Sequence, residues 1–236
     1  MAEEFLKNTK EEADLNQYWY SKRTINALAD EAAEAGESVA FLSTPSIFFS
    51  MKPGRKRWGQ QSRQGDALFD YDRQWESEEG FCFYDFNHPE GIPQSMQGCF
   101  DAVVVDPPFI TEDVWRKYAT AVRFCLRQGG KVLLTTIAEN YELLQELFGD
   151  LNIAKFMPSI PTLPYQYRIF LNYSPVNPML SEWNDEIPRE FESMQVAKQE
   201  RRSNVGADAQ LCSGGKLSFE ELIERELAKE AAAKRQ

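Results

Sequence analysis

Apolar positions recur along the chain with two spacings, one typical of helices and one of buried strands. Helical spacing over residues 16–35 predicts an amphipathic helix that Gly36 ends. The apolar run at 39–42 predicts a strand, which a Ser-Thr-Pro turn closes. Residues 67–72 and 81–85 predict two further short strands, and both end in acidic residues. The first part of the chain therefore predicts one helix followed by three strands.

The next segment contains the most apolar strand. Residues 102–105 carry apolar side chains in unbroken succession, as expected for a central parallel strand that is covered on both faces. Residues 111–128 predict a helix with Thr111 as its cap and the two glycines after it as its end. Residues 131–136 predict the fifth strand.

The remaining pattern completes an α/β fold. Residues 139–148 predict a helix, 153–157 a sixth strand and 168–173 a seventh. No helix is predicted between the last two strands, which indicates an antiparallel hairpin at the sheet edge. Strands that alternate with helices predict a seven-stranded, mostly parallel sheet with helices on both faces.

The composition divides the chain into three parts. Residues 16–176 carry the alternating pattern and are predicted to form one domain of ordinary size. Residues 1–15 precede it as a tail, and residues 177–236 form a polar extension. The extension ends in a predicted helix that begins with a Ser218/Glu221 capping box, and this helix either docks on the domain or binds a partner.

Charge and composition narrow the range of partners. The net charge of -11 opposes non-specific binding to nucleic acid and suits a basic protein partner. The basic stretch 52–63 is an exception, and it is either a solvated insertion or a contact site for an acidic surface or RNA. No apolar run approaches a membrane span and no targeting signal is visible, so we expect a cytoplasmic protein without a membrane partner. The 4 cysteines are widely spaced, which predicts free thiols.

Several common catalytic motifs are missing from the sequence. The chain has 1 histidine, His88, within a turn composition, which excludes His-rich metal sites and leaves little room for a histidine triad. Neither Gly-rich phosphate-binding motif is present. We therefore predict chemistry without a metal, a phosphate cradle or an imidazole base.

Acidic residues stand at the carboxyl ends of consecutive predicted strands. Asp70 and Asp72 follow the second strand, Asp85 the third and Asp106 the fourth. Ligands of open α/β sheets bind at these ends. An acid after the second strand can accept both hydroxyls of a ribose, and one after the third can meet an adenine amine. Aspartate also ends strands because it favours turns, but three strand ends in register favour an adenosine-containing ligand.

The sharpest signal is the sequence Asp-Pro-Pro-Phe at 106–109. Pro107 and Pro108 donate no backbone hydrogen bond and fix φ, so the chain leaves the sheet as a stiff turn with carbonyls free to accept. The carboxylate of Asp106 and the carbonyl of Pro107 could then hold one amino group. Phe109 offers a flat face for a base or for a lysine stem. The four residues therefore predict a clamp for an amine.

Several stretches together carry a family resemblance. They are NQYWYS at 16–21, STPS at 43–46, FDYDRQW at 69–75, FCFYDFNHP at 81–89, VVVDPPF at 103–109 and GGKVLL at 129–134. Over residues 15–174 the chain resembles the class I S-adenosylmethionine-dependent methyltransferases of the D/N-PP-Y/F type, and more closely the eukaryotic branch that methylates a lysine of translation elongation factor 1-alpha. This resemblance implies a Rossmann-like fold and S-adenosyl-L-methionine as the cofactor.

The resemblance also implies roles for individual residues. The acceptor amine would be held by Asp106, Pro107, Pro108 and Phe109. The cofactor would be bound by Trp19, Tyr20, Ser43, Thr44, Pro45, Asp70, Asp72, Asp85 and Asp106, with Asp70 at the ribose, Asp85 near the adenine and the Ser43 turn near the methionine end. The chain departs from the wider superfamily at this turn, where a Gly-rich loop normally follows the first strand.

These observations leave alternative functions. The first hypothesis is a protein-lysine methyltransferase with elongation factor 1-alpha as its partner, and the second is a nucleic-acid adenine-N6 methyltransferase with the same clamp. The third is a catalytically silent binding protein that keeps the fold. The acidity of the chain favours a protein substrate. We expect direct displacement, in which Asp106 orients the amine and the proton is lost to water.

Overall fold

A seven-stranded sheet forms the centre of the computed structural model, which describes residues 1–59, 64–163, 165–189 and 191. The strands are β1 Val39–Leu42, β2 Ala67–Asp70, β3 Phe81–Phe83, β4 Phe100–Val105, β5 Leu126–Ile137, β6 Asn152–Ile153 and β7 Tyr167–Leu171. Their spatial order is β3-β2-β1-β4-β5-β7-β6. The first five strands run parallel, and β7 pairs antiparallel with both β5 and β6. The predicted sheet and its antiparallel edge pair are confirmed.

Helices cover both faces of the sheet. They are α1 Ala2–Asn8, α2 Lys22–Ala35, α3 Pro45–Phe48, α4 Glu112–Cys125 and α5 Tyr141–Phe148. On one face, α2 and α3 pack through fully buried side chains such as Leu28 and Ile47. On the other face, α4 and α5 pack through Trp115, Val122 and Leu144. Each such side chain contributes about 1.5–3 kcal/mol through burial, so the two cores fix the sheet from both sides.

Two predicted helix boundaries are wrong. Helix α2 begins at Lys22 rather than near residue 16, because the Ser21 hydroxyl accepts a hydrogen bond from the Thr24 amide at 3.1 Å and caps the helix. Helix α4 ends at Cys125, because Leu126 already pairs with Phe100 in the sheet. Strand β5 is therefore longer than predicted at its beginning.

Residues near both ends of the predicted domain belong to the same compact unit, which runs from Met1 to Ile187. Residues 1–15 were predicted to be a tail, but Phe5 on α1 is 7% exposed and lies edge-on to Trp19, with ring centroids 5.2 Å apart. Leu180 and Ile187 are also buried, so the unit continues past residue 176 into the predicted extension. The predicted terminal helix lies outside the described residues.

The basic stretch 52–63 is described up to residue 59, and three of its charged side chains contact other residues of the same domain. Lys52 pairs with Asp30 at 3.0 Å. Both oxygens of the fully buried Asp66 accept hydrogen bonds of 2.7 Å from the Arg55 guanidinium. The guanidinium of Arg57 lies 3.7 Å from the centre of the Phe48 ring. These contacts favour a structural role for this part of the stretch.

In the part of the chain that the structure describes, no helix is both long enough and apolar enough to cross a membrane. Three cysteines in that part, Cys82, Cys99 and Cys125, are free thiols.

Candidate active site

A cleft opens where strands β1 to β4 end. Its lining includes the acids Asp70, Asp72, Asp85 and Asp106 together with Pro107 and Phe109. These side chains meet because parallel strands place their carboxyl ends at one edge of the sheet. The structure therefore brings together the acids and the proline turn that the sequence singled out.

Asp106 follows β4 and stands at the centre of a short hydrogen-bonded chain. Its Oδ2 accepts from the Tyr20 hydroxyl at 2.5 Å, and the same hydroxyl lies 2.7 Å from Oγ1 of Thr135 on β5. Burial raises the pKa of the Asp106 carboxyl to about 7, although its hydrogen bonds with Tyr20 and Thr135 oppose the rise. Near neutral pH this carboxyl can thus exist with or without its proton.

The proline turn after Asp106 directs Phe109 into the mouth of the cleft. The Phe109 side chain is 48% exposed, and its ring meets Phe86 edge-on with centroids 6.3 Å apart. The Pro108 carbonyl accepts a hydrogen bond from the Asn16 side-chain amide, so this carbonyl is already engaged. The cleft mouth therefore combines the Asp106 carboxyl with an exposed aromatic face.

Asp70 is the second acid of the cleft whose carboxyl is affected by burial. It is 6% exposed at the end of β2, and burial raises its pKa to about 7. Its Oδ1 accepts a hydrogen bond from the Asp72 amide at 2.9 Å, and the Tyr71 amide also hydrogen-bonds to the carboxyl. A buried carboxylate with further acceptor capacity is suited to the hydroxyls of a ligand.

The carboxylates of Asp72 and Asp85 mainly organise the turns after β2 and β3. Asp72 accepts from the Gln74 amide and from Nε2 of Gln17, each at 2.9 Å. Oδ1 of Asp85 accepts from the Asn87 amide at 2.9 Å. Both acids line the cleft, but at least one oxygen of each already accepts a hydrogen bond, and the bond from Gln17 ties the turn after β2 to a segment 55 positions earlier.

The turn after β1 reproduces with serine a conformation that usually calls for glycine. Ser43 has φ 56°, in the left-handed region, and its amide donates to the Phe69 carbonyl at 2.8 Å. Its hydroxyl also lies 2.6 Å from the Tyr118 hydroxyl. Pro45 lines the cleft beside Ser43. The non-glycine turn therefore still places backbone and hydroxyl groups at the end of β1.

Two residues with predicted cofactor contacts stand behind the cleft wall. Thr44 is 2% exposed and Tyr20 is 2% exposed, and the cleft lining includes neither of them. Thr44 is the N-cap residue of the short helix α3, whereas the Tyr20 hydroxyl contacts Asp106 from the core side. Trp19 does line the cleft, as predicted.

A segment in which the sequence predicted only Trp19 as a site residue closes one side of the cleft. Residues 14–19, which we call the strap, all line it. The strap begins in a short 3-10 helix, Ala13–Leu15. Asn16 then adopts the left-handed conformation with φ 53°, and residues 17–19 continue along the cleft without helical structure. The amide of Trp19 donates to Glu11 at 2.8 Å and fixes the strap from the amino-terminal side. The only sequence signal was the resemblance of NQYWYS, which we interpreted as part of a helix.

The cleft also holds buried polar atoms that are suited to a ligand. Among the described residues, Trp19 Nε1 and the Tyr84 hydroxyl have no hydrogen-bond partner, although both atoms are buried and both residues line the cleft. Such atoms are destabilising unless a ligand or water pairs with them. The same part of the chain contains no group of side chains that could hold a metal ion.

Comparison with known proteins identifies the family. Residues 11–175 match the family described as "Probable N6-adenine methyltransferase". The mouse protein named "EEF1A lysine methyltransferase 1" is 34% identical over 172 residues, covering 70% of this chain and 76% of the mouse protein. The chain belongs to this methyltransferase family. The predicted family and enzyme class of this methyltransferase are confirmed, and with them S-adenosyl-L-methionine as the methyl donor.

Two further matches are more distant. The Saccharomyces cerevisiae protein "Protein-lysine N-methyltransferase EFM5" is 27% identical over 189 residues, covering 72% of this methyltransferase and 75% of the yeast protein. Among solved structures, Aeropyrum pernix fibrillarin with bound S-adenosyl-L-methionine aligns with a TM-score of 0.41 at 14% identity, covering 62% of this chain and 76% of that chain.

Proposed function

We propose that this methyltransferase methylates a lysine side chain of a protein, and that the protein is translation elongation factor 1-alpha. The observation that carries the proposal is the Asp106 carboxylate beside the exposed Phe109 ring, at the mouth of a cleft that also contains the buried Asp70. The names of the mouse and yeast relatives support a lysine as the acceptor, and the mouse name supports the elongation factor as the substrate.

The cleft offers contacts for each part of the methyl donor. We assign the ribose hydroxyls to Asp70, because its buried carboxylate keeps acceptor capacity. Asp85 lies beyond it at the end of the neighbouring strand, in a position suited to the adenine. The Ser43 turn and Trp19 are assigned to the methionine end, where the indole Nε1 still lacks a partner among the described residues.

The side chains of the site act by orientation and by exclusion of water. When bound, S-adenosyl-L-methionine supplies an electrophilic methyl group on a sulfonium. Asp106 accepts a hydrogen bond from the lysine amine and directs its lone pair, and Phe109 covers the lysine stem. A free lysine has a pKa near ~10.4, and the aromatic walls favour its neutral form whereas an ionised Asp106 favours the ammonium. We assign proton loss to water and orientation to Asp106.

The alternative acceptor is the adenine amine of a nucleic acid, which the family description names. The structure weakens it at one point. Of the basic residues in 52–63 that were candidates for phosphate contact, Lys52, Arg55 and Arg57 each have a partner within the fold. Lys56 is exposed, and Arg63 lies outside the described residues. With a net charge of -11, the chain is poorly suited to a phosphate backbone.

The test is methyl transfer from labelled S-adenosyl-L-methionine to purified elongation factor 1-alpha, total RNA and DNA in parallel. We expect label on the protein, located to lysine by mass spectrometry. Label on nucleic acid alone would refute the proposal, and label on none would support a silent binding protein.

Substitution of the clamp provides the matched variant. Asp106→Ala is expected to abolish transfer while the thermal unfolding transition remains cooperative, because the amine loses its acceptor. Asp113→Ala is the control, since Asp113 is exposed on α4 and pairs only with Lys117 at 2.6 Å among the contacts described. Retained activity in Asp106→Ala would remove the clamp from the mechanism.

A further inference from the structure

Tyr20 occupies an unusual position for a residue of a cofactor site. Its ring is 2% exposed and does not line the cleft, yet its hydroxyl reaches Asp106 Oδ2 at 2.5 Å. The side chain comes from the residue before the Ser21 cap of α2, so the rigid start of that helix sets its direction. Tyr20 therefore contacts the acceptor clamp from the core side.

Thr135 fixes the other side of the Tyr20 hydroxyl. The two hydroxyl oxygens lie 2.7 Å apart, and Thr135 Oγ1 also lies 3.3 Å from the carbonyl of Val105, the residue before Asp106. A phenol has a single proton to donate. With Thr135 as a neighbouring hydroxyl, that proton is directed to the carboxylate, which is the stronger acceptor.

We infer that Tyr20, held by Thr135, is a positioning residue for the acceptor clamp: it fixes Oδ2 of Asp106 so that Oδ1 is presented to the incoming amine. This inference deepens the proposed function and rests on it. A carboxylate without that bond could rotate about χ2 and would offer the amine a less defined acceptor. In place of the predicted direct contact with the cofactor, Tyr20 acts through its hydrogen bond to Asp106.

The surroundings of Asp106 make the Tyr20 hydroxyl the main group that favours ionisation. The neighbouring titratable groups are the phenols of Tyr167 on β7 and Tyr118 on α4, both buried and both held neutral because burial raises their pKa well above the usual value. No described cation pairs with Asp106, since its pKa is lowered only by Tyr20 and Thr135. Removal of the phenol hydroxyl should therefore raise the pKa of Asp106 above about 7.

The experiment compares Tyr20→Phe, Thr135→Val and Tyr141→Phe with the wild-type enzyme. Tyr141→Phe is the matched control. The Tyr141 hydroxyl also donates a partly buried hydrogen bond, to the Leu151 carbonyl at 3.3 Å, but this residue lies on α5 and does not line the cleft. We expect Tyr20→Phe to lower kcat on elongation factor 1-alpha by about 10- to 100-fold, as for loss of a hydrogen bond to a charged group. The KM for the protein and the affinity for S-adenosyl-L-methionine should stay within about twofold. Thr135→Val should show a smaller loss and Tyr141→Phe none.

A second measurement needs no protein substrate. Titration of carbon-13-labelled aspartate carboxyls by NMR, with Asp106→Asn to assign the signal, should show a higher midpoint for Asp106 in Tyr20→Phe and an unchanged one in Tyr141→Phe. An unmoved Asp106 titration, or a kcat within twofold of wild type, would overturn the inference. An equal loss of cofactor affinity would also overturn it, because Tyr20 would then act on the cofactor. If the wild-type enzyme does not methylate the elongation factor, the proposed substrate fails while the NMR titration still decides the role of Tyr20.

Discussion

The buried Asp70 predicts that cofactor binding depends on pH. Burial raises the pKa of this carboxyl from 3.8 to about 7 in the unliganded protein. Ribose hydroxyls donate hydrogen bonds, so they favour the ionised carboxylate and lower its pKa on binding. Affinity for S-adenosyl-L-methionine should therefore rise as pH increases towards 7, by up to about tenfold per pH unit, and level off above it.

The raised pKa of Asp70 also determines how this residue affects the free energy of unfolding at each pH. A shift of about 3 pKa units corresponds to about 4 kcal/mol between the two protonation states. Because the folded pKa lies above the unfolded one, the protein is at its full stability below pH 4 with respect to this group and loses stability as pH rises to about 7. Asp70→Asn removes the charge and can keep the bond from the Asp72 amide, so it should stabilise the unliganded protein at pH 8 by up to about 4 kcal/mol and much less at pH 5.

Calorimetric titration from pH 5.5 to 8.5, in two buffers of different ionisation enthalpy, measures both affinity and proton release. Wild type should release up to about one proton from Asp70 per cofactor below pH 7. Asp70→Asn should bind more weakly and lose that part of the pH dependence, whereas Asp106→Asn should retain it. A wild-type affinity that is constant from pH 5.5 to 7, or an unchanged pH dependence in Asp70→Asn, would refute the assignment of Asp70 to the ribose.

Two further substitutions test the packing that supports the site. Phe5→Ala should destabilise the protein by about 3–5 kcal/mol and weaken cofactor binding, because the ring packs on Trp19; a melting temperature like that of wild type would show α1 to be dispensable. Asp66→Ala should cost about 3–5 kcal/mol in a denaturant titration, because it leaves Arg55 partly buried without its carboxylate; a change below 1 kcal/mol would contradict the buried ion pair.

Local patterns were sufficient to predict the sheet and the acids at its edge. Each of these acids closely follows its own strand in sequence, as Asp106 follows the apolar run 102–105. The strand pattern and the turn residues therefore predicted both the strand and the position of its acid. The glycines at 129 and 130 misled the prediction, because they lie inside β5 rather than after a helix. Gly129 has φ 72°, and the register of β4 against β5 shifts between Phe100 and Ala102, so the glycine accommodates an irregularity in the pairing.

Long-range contacts account for the part of the site that was missed. Asn16 reaches Pro108 across 92 positions of sequence, and Tyr20 reaches Asp106 across 86. The helical spacing of Tyr20, Ile25 and Leu28 extended the predicted helix back over NQYWYS, although asparagine is among the residues that most often adopt the left-handed conformation seen at Asn16. Such contacts depend on the assembled sheet, which periodicity cannot describe.

The strap gives the two halves of the site a common mechanical support. Its adjacent residues Asn16 and Gln17 hold the Pro108 carbonyl and the Asp72 carboxylate, and consecutive Cα atoms are fixed ~3.8 Å apart. One bond therefore anchors the turn after Asp106, and the next anchors the turn after Asp70. A movement of either anchor must shift the other through two residues.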